Sequence, residues 1–195
     1  MSSIALRRGV ELEDPLGVAV EFLEKYSAYD SGQPSSPESF DQSDLRRANR
    51  GGARISATEQ AAILDRRGQI ERALGQIDPE ASLMESVPWV ALTRLFDAFG
   101  DIRGVGYSKM TKALYPKRPA LIPMLDSVVQ AYLAEDTQKA AGSFGERATA
   151  LVRSYERDLD RNRAALRAVK RELAIRGYRL TEVRILDVLI WSSPG

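Results

Sequence analysis

The segment from Asp101 to Asp126, DIRGVGYSKMTKALYPKRPALIPMLD, combines a glycine turn, a group of cations and one isolated carboxylate. Gly104 and Gly106 lie between two short stretches with helical apolar spacing, which predicts a helix, a tight turn and a second helix. Glycine accepts positive φ and has no Cβ. The N–H groups that open the second helix could therefore contact an anion at the positive end of the helix dipole.

Basic residues around this turn favour a nucleic-acid phosphate as the anion. They outnumber the one acid of the turn, Asp101, and phosphate contacts position a protein on DNA without reading sequence. We therefore predict a contact surface for double-stranded DNA. It consists of Arg103, Gly104, Val105, Gly106, Ser108, Lys109, Lys112, Lys117 and Arg118. The alternative is a plain glycine connector between two core helices.

This segment resembles the helix-hairpin-helix DNA glycosylases of base excision repair. The likeness rests on the I-R-G-V-G turn, on apolar positions in the next helix, on a proline-containing connector and on the distance from Gly106 to Asp126. In that family the hairpin holds the DNA backbone, and an aspartate at the position of Asp126 stabilises the cationic sugar or activates water as a flipped-out base leaves.

The resemblance also implies which variant of the chemistry to expect. The bifunctional enzymes have a nucleophilic lysine two residues after the second glycine, where this chain has Ser108, so we expect a monofunctional enzyme without lyase activity. No cysteine is present to hold an iron–sulfur cluster, and we expect no cofactor other than a monovalent cation that the hairpin could bind. The implied fold is a helical bundle with two lobes and a cleft.

The implied reaction needs a carboxylate and a pocket. As an N-glycosidic bond breaks, positive charge develops on the sugar, which a carboxylate near C1′ stabilises. The base must first leave the stack and enter a pocket with aromatic and polar walls. Candidate pocket residues are Trp89, Tyr107, Tyr29 and Asn49. A simpler role for Asp126 is that of a helix N-cap beside Ser127, and the two roles are compatible.

Composition limits the other possibilities. The chain has no Cys and no His, which removes disulfides, thiolate nucleophiles, imidazole acid–base chemistry and the usual zinc ligands, so we expect no metal site. The formal net charge is only +1, so any nucleic-acid surface must arise from how charge is distributed. No apolar run is long enough for a membrane span, and we expect a cytoplasmic monomer.

Helical periodicity dominates the chain and predicts an all-α fold, with residues 1–195 as one domain and residues 89–134 as the hairpin and aspartate segment. After a loose start we predict helices over 15–29, 41–48, 57–75 and 146–176, and a buried closing helix from Thr181. A loop spans 30–39. The turn at 49–54, NRGGAR, is interpreted either as a connector or as a second anion-binding loop.

The leading hypothesis is a monofunctional DNA glycosylase that acts on a damaged, mismatched or modified base. A non-catalytic helix-hairpin-helix DNA-binding protein and a component of a bacterial defence system are the alternatives. A pocket with the Asp126 carboxylate at its floor would favour catalysis over binding alone. The chain also resembles an uncharacterised bacterial family with a KRPxLIPxxDS stretch, here from Lys117 to Ser127, and a C-terminal LDVxxW, here from Leu186 to Trp191.

Overall fold

The computed structural model of the protein describes residues 3–26, 36–137 and 141–193. Helices dominate this part of the chain, as predicted. They are α1 Pro15–Tyr26, α2 Gln42–Arg50, α3 Ala57–Asp65, α4 Arg67–Leu74, α5 Trp89–Asp97, α6 Tyr107–Leu114, α7 Ser127–Thr137, α8 Phe144–Arg161, α9 Arg163–Ile175 and α10 Glu182–Ser192. Two short antiparallel strands, β1 Ile4–Ala5 and β2 Glu11–Leu12, precede them.

The N-terminal segment is ordered, so the predicted loose start is wrong. Ile4 pairs with Leu12 and is fully buried, and Arg7 Nε donates a 2.6 Å hydrogen bond to the buried Asp158 carboxylate of α8. Strands of two residues are too short to produce a readable alternation of apolar and polar positions. A long-range ion pair of this kind leaves no local pattern in the sequence.

The predicted helix starts are largely confirmed. Asp41 and Ser56 each form a capping box, and Thr181 accepts a hydrogen bond from the N–H of Arg184 at the start of α10. The predicted helix over 57–75 is instead divided at Arg66 into α3 and α4. For α1, the described part ends at Tyr26. Tyr29 and most of the predicted loop at 30–39 lie outside the described residues.

The predicted helix over 146–176 is divided at Asn162 into α8 and α9. The amide of Asn162 donates to the carbonyls of Asp158 and Ala5 and accepts from the N–H of Ala5. Asparagine competes in this way with backbone hydrogen bonds and disfavours a helix interior. The same side chain therefore ends α8 and fixes β1 to the helical body.

Helix α10 lies at the centre of the fold. Its residues from Val183 to Ile190 are buried, and it packs against α1, α7 and α9. The buried apolar residues form a cluster that extends from Ile4 to Ile190. None of the helices in the described ranges is both long and apolar enough to cross a membrane. The arrangement of α1, α6, α7 and α10 brings the side chains of the candidate site together.

Candidate ligand cavity at Asp126

A cavity of about 310 Å³ opens where α1, α2, α6, α7 and α10 meet. Its size is at the small end of the range for ligand pockets, and side chains that could stack, bind anions and exchange protons surround it. The lining residues are Phe22, Lys25, Tyr26, Arg50, Gly51, Lys112, Met124, Asp126, Val129, Arg184, Asp187 and Trp191. We refer to it as the Asp126 cavity.

Asp126 is the N-cap of α7 and also faces this cavity. Its Oδ1 accepts hydrogen bonds from the backbone N–H groups of Val128 and Val129, at 3.0 and 3.1 Å. Its Oδ2 accepts a 2.7 Å hydrogen bond from the indole N–H of Trp191 on α10. The side chain is 8% exposed. The structure therefore confirms the predicted cap and places the same carboxylate on a cavity wall.

The segment that carries Asp126 is fixed on both sides. The N–H of Leu125 donates to Thr111 Oγ1 on α6 at 3.0 Å, and the N–H of Met124 donates to Asp187 Oδ2 on α10 at 3.2 Å. The N–H of Asp126 donates to the carbonyl of Met124 at 2.8 Å, a tight turn that leaves both residues lining the cavity. The position of the carboxylate is thus set by long-range contacts.

Helix α10 supplies three further lining residues from one face. Arg184, Asp187 and Trp191 are spaced by three and four residues, which aligns side chains on a helix. Asp187 is buried, and its Oδ1 accepts a 3.0 Å hydrogen bond from the Tyr155 hydroxyl. Burial raises the pKa of Asp187 to about 7, although the neighbouring Arg184 guanidinium acts in the opposite direction. The cavity therefore holds one carboxyl group that is neutral below pH 7.

Three aromatic side chains form the outer wall. The ring centroids of Phe22 and Tyr26 are 4.9 Å apart, and those of Phe22 and Trp191 are 6.4 Å apart. Tyr26 and Trp191 are exposed by 57% and 50%, which is unusual for large aromatic residues of a folded domain. Such rings offer flat faces on which a planar ligand can stack.

Cations also line the cavity. Lys112 projects from α6 towards the turn after α2, where a Cβ on Gly52 would lie 3.9 Å from its ammonium nitrogen. Burial lowers the pKa of Lys112, the Asp126 carboxylate opposes that shift, and the charges of Arg184 and Arg54 add to it. Arg50 lines the cavity as well and is exposed. Among the residues that the structure describes, the lining of the Asp126 cavity therefore combines an excess of positive charge with aromatic and apolar surface.

The hairpin differs from this cavity. Of its two glycines only Gly104 has a positive φ, +83°, whereas Gly106 is the N-cap of α6 with φ −98°. The carboxylate of Glu59 lies against the turn, since a Cβ on Gly104 would be 2.3 Å from Glu59 Oε1. Lys109 donates to both oxygens of Glu59, at 2.6 and 2.8 Å. An acidic side chain of the protein itself therefore occupies the neighbourhood predicted for a phosphate.

The remaining hairpin residues are divided between surface and interior. Arg103 is exposed beside a shallow depression that Glu59, Asp65 and Asp101 also line. Val105 is buried, and Ser108 is half-buried. Lys112, predicted for the DNA surface, lies instead on the wall of the Asp126 cavity.

Lys117 and Arg118 are buried, so the prediction that they contact DNA is corrected. Lys117 is 2% exposed and pairs with the equally buried Asp44 at 2.9 Å. Arg118 is fully buried and donates hydrogen bonds to backbone carbonyls, which include those of Leu74 and Ile77. Buried charges need such partners, and these two cations stabilise the fold.

Three of the four predicted base-pocket residues, Trp89, Tyr107 and Asn49, do not line the Asp126 cavity. Trp89 is half-buried beneath the guanidinium of Arg153, which lies 4.1 Å from the centroid of its ring. Tyr107 packs against Phe144. Asn49 exchanges hydrogen bonds with the backbone of Ile55 and so closes the turn after α2. Tyr29 lies outside the described residues.

Sequence analysis missed the contribution of α10. Residues 183–191 are VRILDVLIW, and this apolar run predicts a helix that only closes the core. Arg184 and Asp187 were the available signal, because charged residues in a helix that is buried on most sides need a partner or a function. The KRPxLIPxxDS and LDVxxW stretches also indicated the site, since Asp126, Asp187 and Trp191 come from them and meet in the cavity.

The fold and site together define a mostly helical protein with a polar, aromatic-walled cavity. The chain belongs to the family described as "Family of unknown function (DUF6308)", whose model matches residues 20–194. No curated protein and no solved structure matches the chain.

Proposed function

We propose that the protein is a monofunctional DNA glycosylase, and that the Asp126 cavity receives the flipped-out base. The observation that carries this proposal is the position of the Asp126 carboxylate on the wall of a 310 Å³ cavity with aromatic and cationic walls. A glycosylase needs this combination, because the base must be stacked and the sugar cation must face a negative charge. The likeness of residues 102–126 to helix-hairpin-helix glycosylases supports the same assignment.

The chemical step assigns one role to Asp126. The C1′–N bond breaks with its electron pair going to the base, and the positive charge left on the sugar is stabilised by the carboxylate. Water then adds its oxygen to C1′, and the carboxylate accepts the proton that water loses. The base leaves with a proton taken from the solvent, and Asp126 returns its own proton to water.

The hydrogen bonds of Asp126 are compatible with this role. The two backbone N–H groups hold Oδ1, and the Trp191 indole holds Oδ2 at 2.7 Å. A carboxylate has about four lone-pair directions, so Oδ2 keeps one direction for water or sugar. Fixed donors also prevent the carboxylate from turning away, which is what a preorganised electrostatic group requires.

The protonated state of the Asp187 carboxyl group supports the proposal. A second anion near Asp126 would repel the phosphates of a nucleotide, and burial with a pKa of about 7 keeps Asp187 protonated below that pH. Lys112, Arg184 and Arg50 then give the cavity a positive balance. Anionic DNA is therefore favoured over a neutral or cationic ligand.

Base release tests this function. Duplexes that carry different altered bases are incubated with the protein, and alkali then cleaves the strand at abasic sites. We expect cleavage only after alkali, and we expect Asp126→Asn to lower the rate about 10²- to 10³-fold, as for loss of one preorganised electrostatic group. Asparagine still caps a helix well, so folding is retained.

Trp191→Phe is the matched control for that experiment. It removes the indole N–H from Oδ2 but keeps the Asp126 charge and an aromatic wall. We expect a loss of about tenfold, smaller than that of Asp126→Asn. Equal rates for the wild type and Asp126→Asn would contradict the catalytic role of this carboxylate.

A second candidate function is DNA binding without chemistry. The observation that favours it is the complete N-cap of α7, since Asp126 Oδ1 accepts from both Val128 and Val129. In that case no abasic sites form with any duplex in the panel. Asp126→Asn would then leave DNA affinity unchanged or raise it, because it removes a negative charge from the binding surface.

A further inference from the structure

The turn that joins α2 to α3, Arg50 to Arg54, has features of an anion-binding loop. Its glycines keep the backbone open, and Gly52 has a φ of +78° that other residues rarely adopt. Arg54 also has a positive φ, +56°, which is uncommon for a side chain of this size. The hydrogen bonds between Asn49 and the backbone of Ile55 close the turn and hold that geometry.

The two arginines of this turn are available to a ligand. Both are exposed, and among the described residues neither has a carboxylate partner. Arg50 lines the Asp126 cavity together with Gly51. Arg54 lies across the two glycines from Arg50, and its charge is felt by Lys112 on the cavity wall. The turn thus forms a cationic rim on one side of the cavity.

Lys112 on the cavity wall lies next to this rim. A Cβ added to Gly52 would lie 3.9 Å from the ammonium nitrogen of Lys112, so the turn and this cation are neighbours. A phosphate bound at this turn would contact the planar guanidinium of an arginine and the ammonium of Lys112 at the same time. Such charge-assisted contacts are the strong ones in phosphate recognition.

We propose that the Arg50–Arg54 turn, with Lys112, binds a phosphate group of the nucleotide whose base enters the Asp126 cavity. This inference rests on the proposed function, because it takes the cavity ligand to be a nucleotide. It differs from the sequence-based prediction in that the phosphate contacts the Arg50–Arg54 turn and not the glycine hairpin. The group that binds is a nucleotide phosphate, which either a DNA strand or a free nucleotide could supply.

Fluorescence of Trp191 provides the measurement. In a Trp89→Phe background, Trp191 is the remaining tryptophan and lies on the cavity wall. The protein is titrated with the four deoxynucleosides, with their 5′-monophosphates and with inorganic phosphate. In parallel, anisotropy measures binding of a duplex with an abasic-site analogue at several salt concentrations. We expect at least one monophosphate, or the duplex, to bind.

The variant Arg50→Gln/Arg54→Gln tests the turn, and Arg103→Gln/Lys109→Gln is the matched control at the hairpin. If a free nucleotide is the source, the monophosphate binds about tenfold or more tightly than its nucleoside, and only the turn variant reduces that ratio to within about twofold. If DNA is the source, the turn variant lowers the salt slope of duplex binding by about one, at 0.9 per phosphate contact, and the hairpin variant leaves it unchanged.

Each other outcome overturns the inference. If the phosphate advantage or the salt slope falls in the hairpin variant and not in the turn variant, the hairpin holds the phosphate. If a nucleoside binds and its phosphate adds nothing in either assay, the inference fails while the proposed function stands. If no nucleoside, nucleotide or duplex binds, both fail. The turn variant should unfold like the wild type, since Arg50 and Arg54 are exposed. The hairpin variant loses the Lys109–Glu59 ion pair, so its unfolding curve should shift slightly while it remains folded under the assay conditions.

Discussion

The glycine hairpin and the Asp126 cavity lie near opposite ends of α6, and their charged side chains are arranged differently. Gly106 and Lys112 are separated by roughly 9 Å along the helix axis, at 1.5 Å per residue. At the hairpin, Glu59 pairs with Lys109 and lies against Gly104. At the cavity, Arg50 and Lys112 line a wall beside Asp126. A cluster of cations in sequence is therefore a weaker guide to ligand binding than its balance in space.

The largest expected effect separates a buried cation that stabilises the fold from an exposed cation of the hairpin. Lys117→Met removes the buried ammonium that pairs with Asp44 at 2.9 Å, and loss of one partner of a buried pair costs about 3–5 kcal/mol. Arg103→Met, at an exposed position, should change the free energy of unfolding by less than about 0.5 kcal/mol. Urea denaturation measures both. Similar values for the two variants would contradict the burial of Lys117.

The next effect concerns pH and Asp187. Its pKa is raised from 3.8 to about 7, so the folded protein binds this proton more tightly than the unfolded chain. The resulting stabilisation is complete below about pH 4 and is lost as pH rises through 7, with a slope of about 1.4 kcal/mol per unit in between.

Asp187→Asn should remove this contribution. The difference in unfolding free energy between wild type and variant should then shift in favour of the variant from pH 5 to pH 7. It should stay constant above about pH 8. A difference that does not change with pH would show that Asp187 is ionised throughout.

A smaller effect separates the two glycines of the hairpin. Gly104→Ala introduces a Cβ at φ +83° and 2.3 Å from Glu59 Oε1, which should destabilise the protein by about 1–2 kcal/mol. Gly106→Ala meets no atom within 4 Å and has an ordinary φ, so its stability should be nearly unchanged. Thermal unfolding compares them. If Gly106→Ala also leaves DNA affinity unchanged, close approach of a phosphate at this corner is excluded.

The smallest expected effect comes from removal of the acid at the hairpin. Glu59→Gln keeps a residue type that completes the capping box with Ser56, but it releases Lys109 from its ion pair. We expect duplex affinity at low salt to rise several-fold, with a salt slope steeper by about one phosphate contact. Unchanged affinity would mean that Lys109 does not face DNA even when it is free.

Much of the fold was readable from sequence because local rules govern it. The helix starts at Asp41, Ser56 and Thr181 were visible as residue types next to apolar periodicity. The division at Asn162 was not, because it depends on hydrogen bonds to Ala5, far away in the chain. Local patterns therefore located the helices better than their breaks.

The site was readable only in part. Asp126 and Lys112 were identified from sequence, although Lys112 was assigned to a different surface. The sequence could not indicate that Arg118 points inward while Lys112 faces a cavity, since both follow the same turn and both are basic. Trp191 and Asp187 reach the site through the packing of α10 against α7, which is a tertiary contact without a local signature.

The most direct test of the central claim, that the ligand site is the Asp126 cavity, is amide hydrogen exchange with and without a duplex that carries an abasic-site analogue. We predict slower exchange in the duplex complex at residues 50–54 and 126–130, around the cavity and its rim, and little change at 101–109. Protection confined to 101–109, with none at 50–54 or 126–130, would contradict the account.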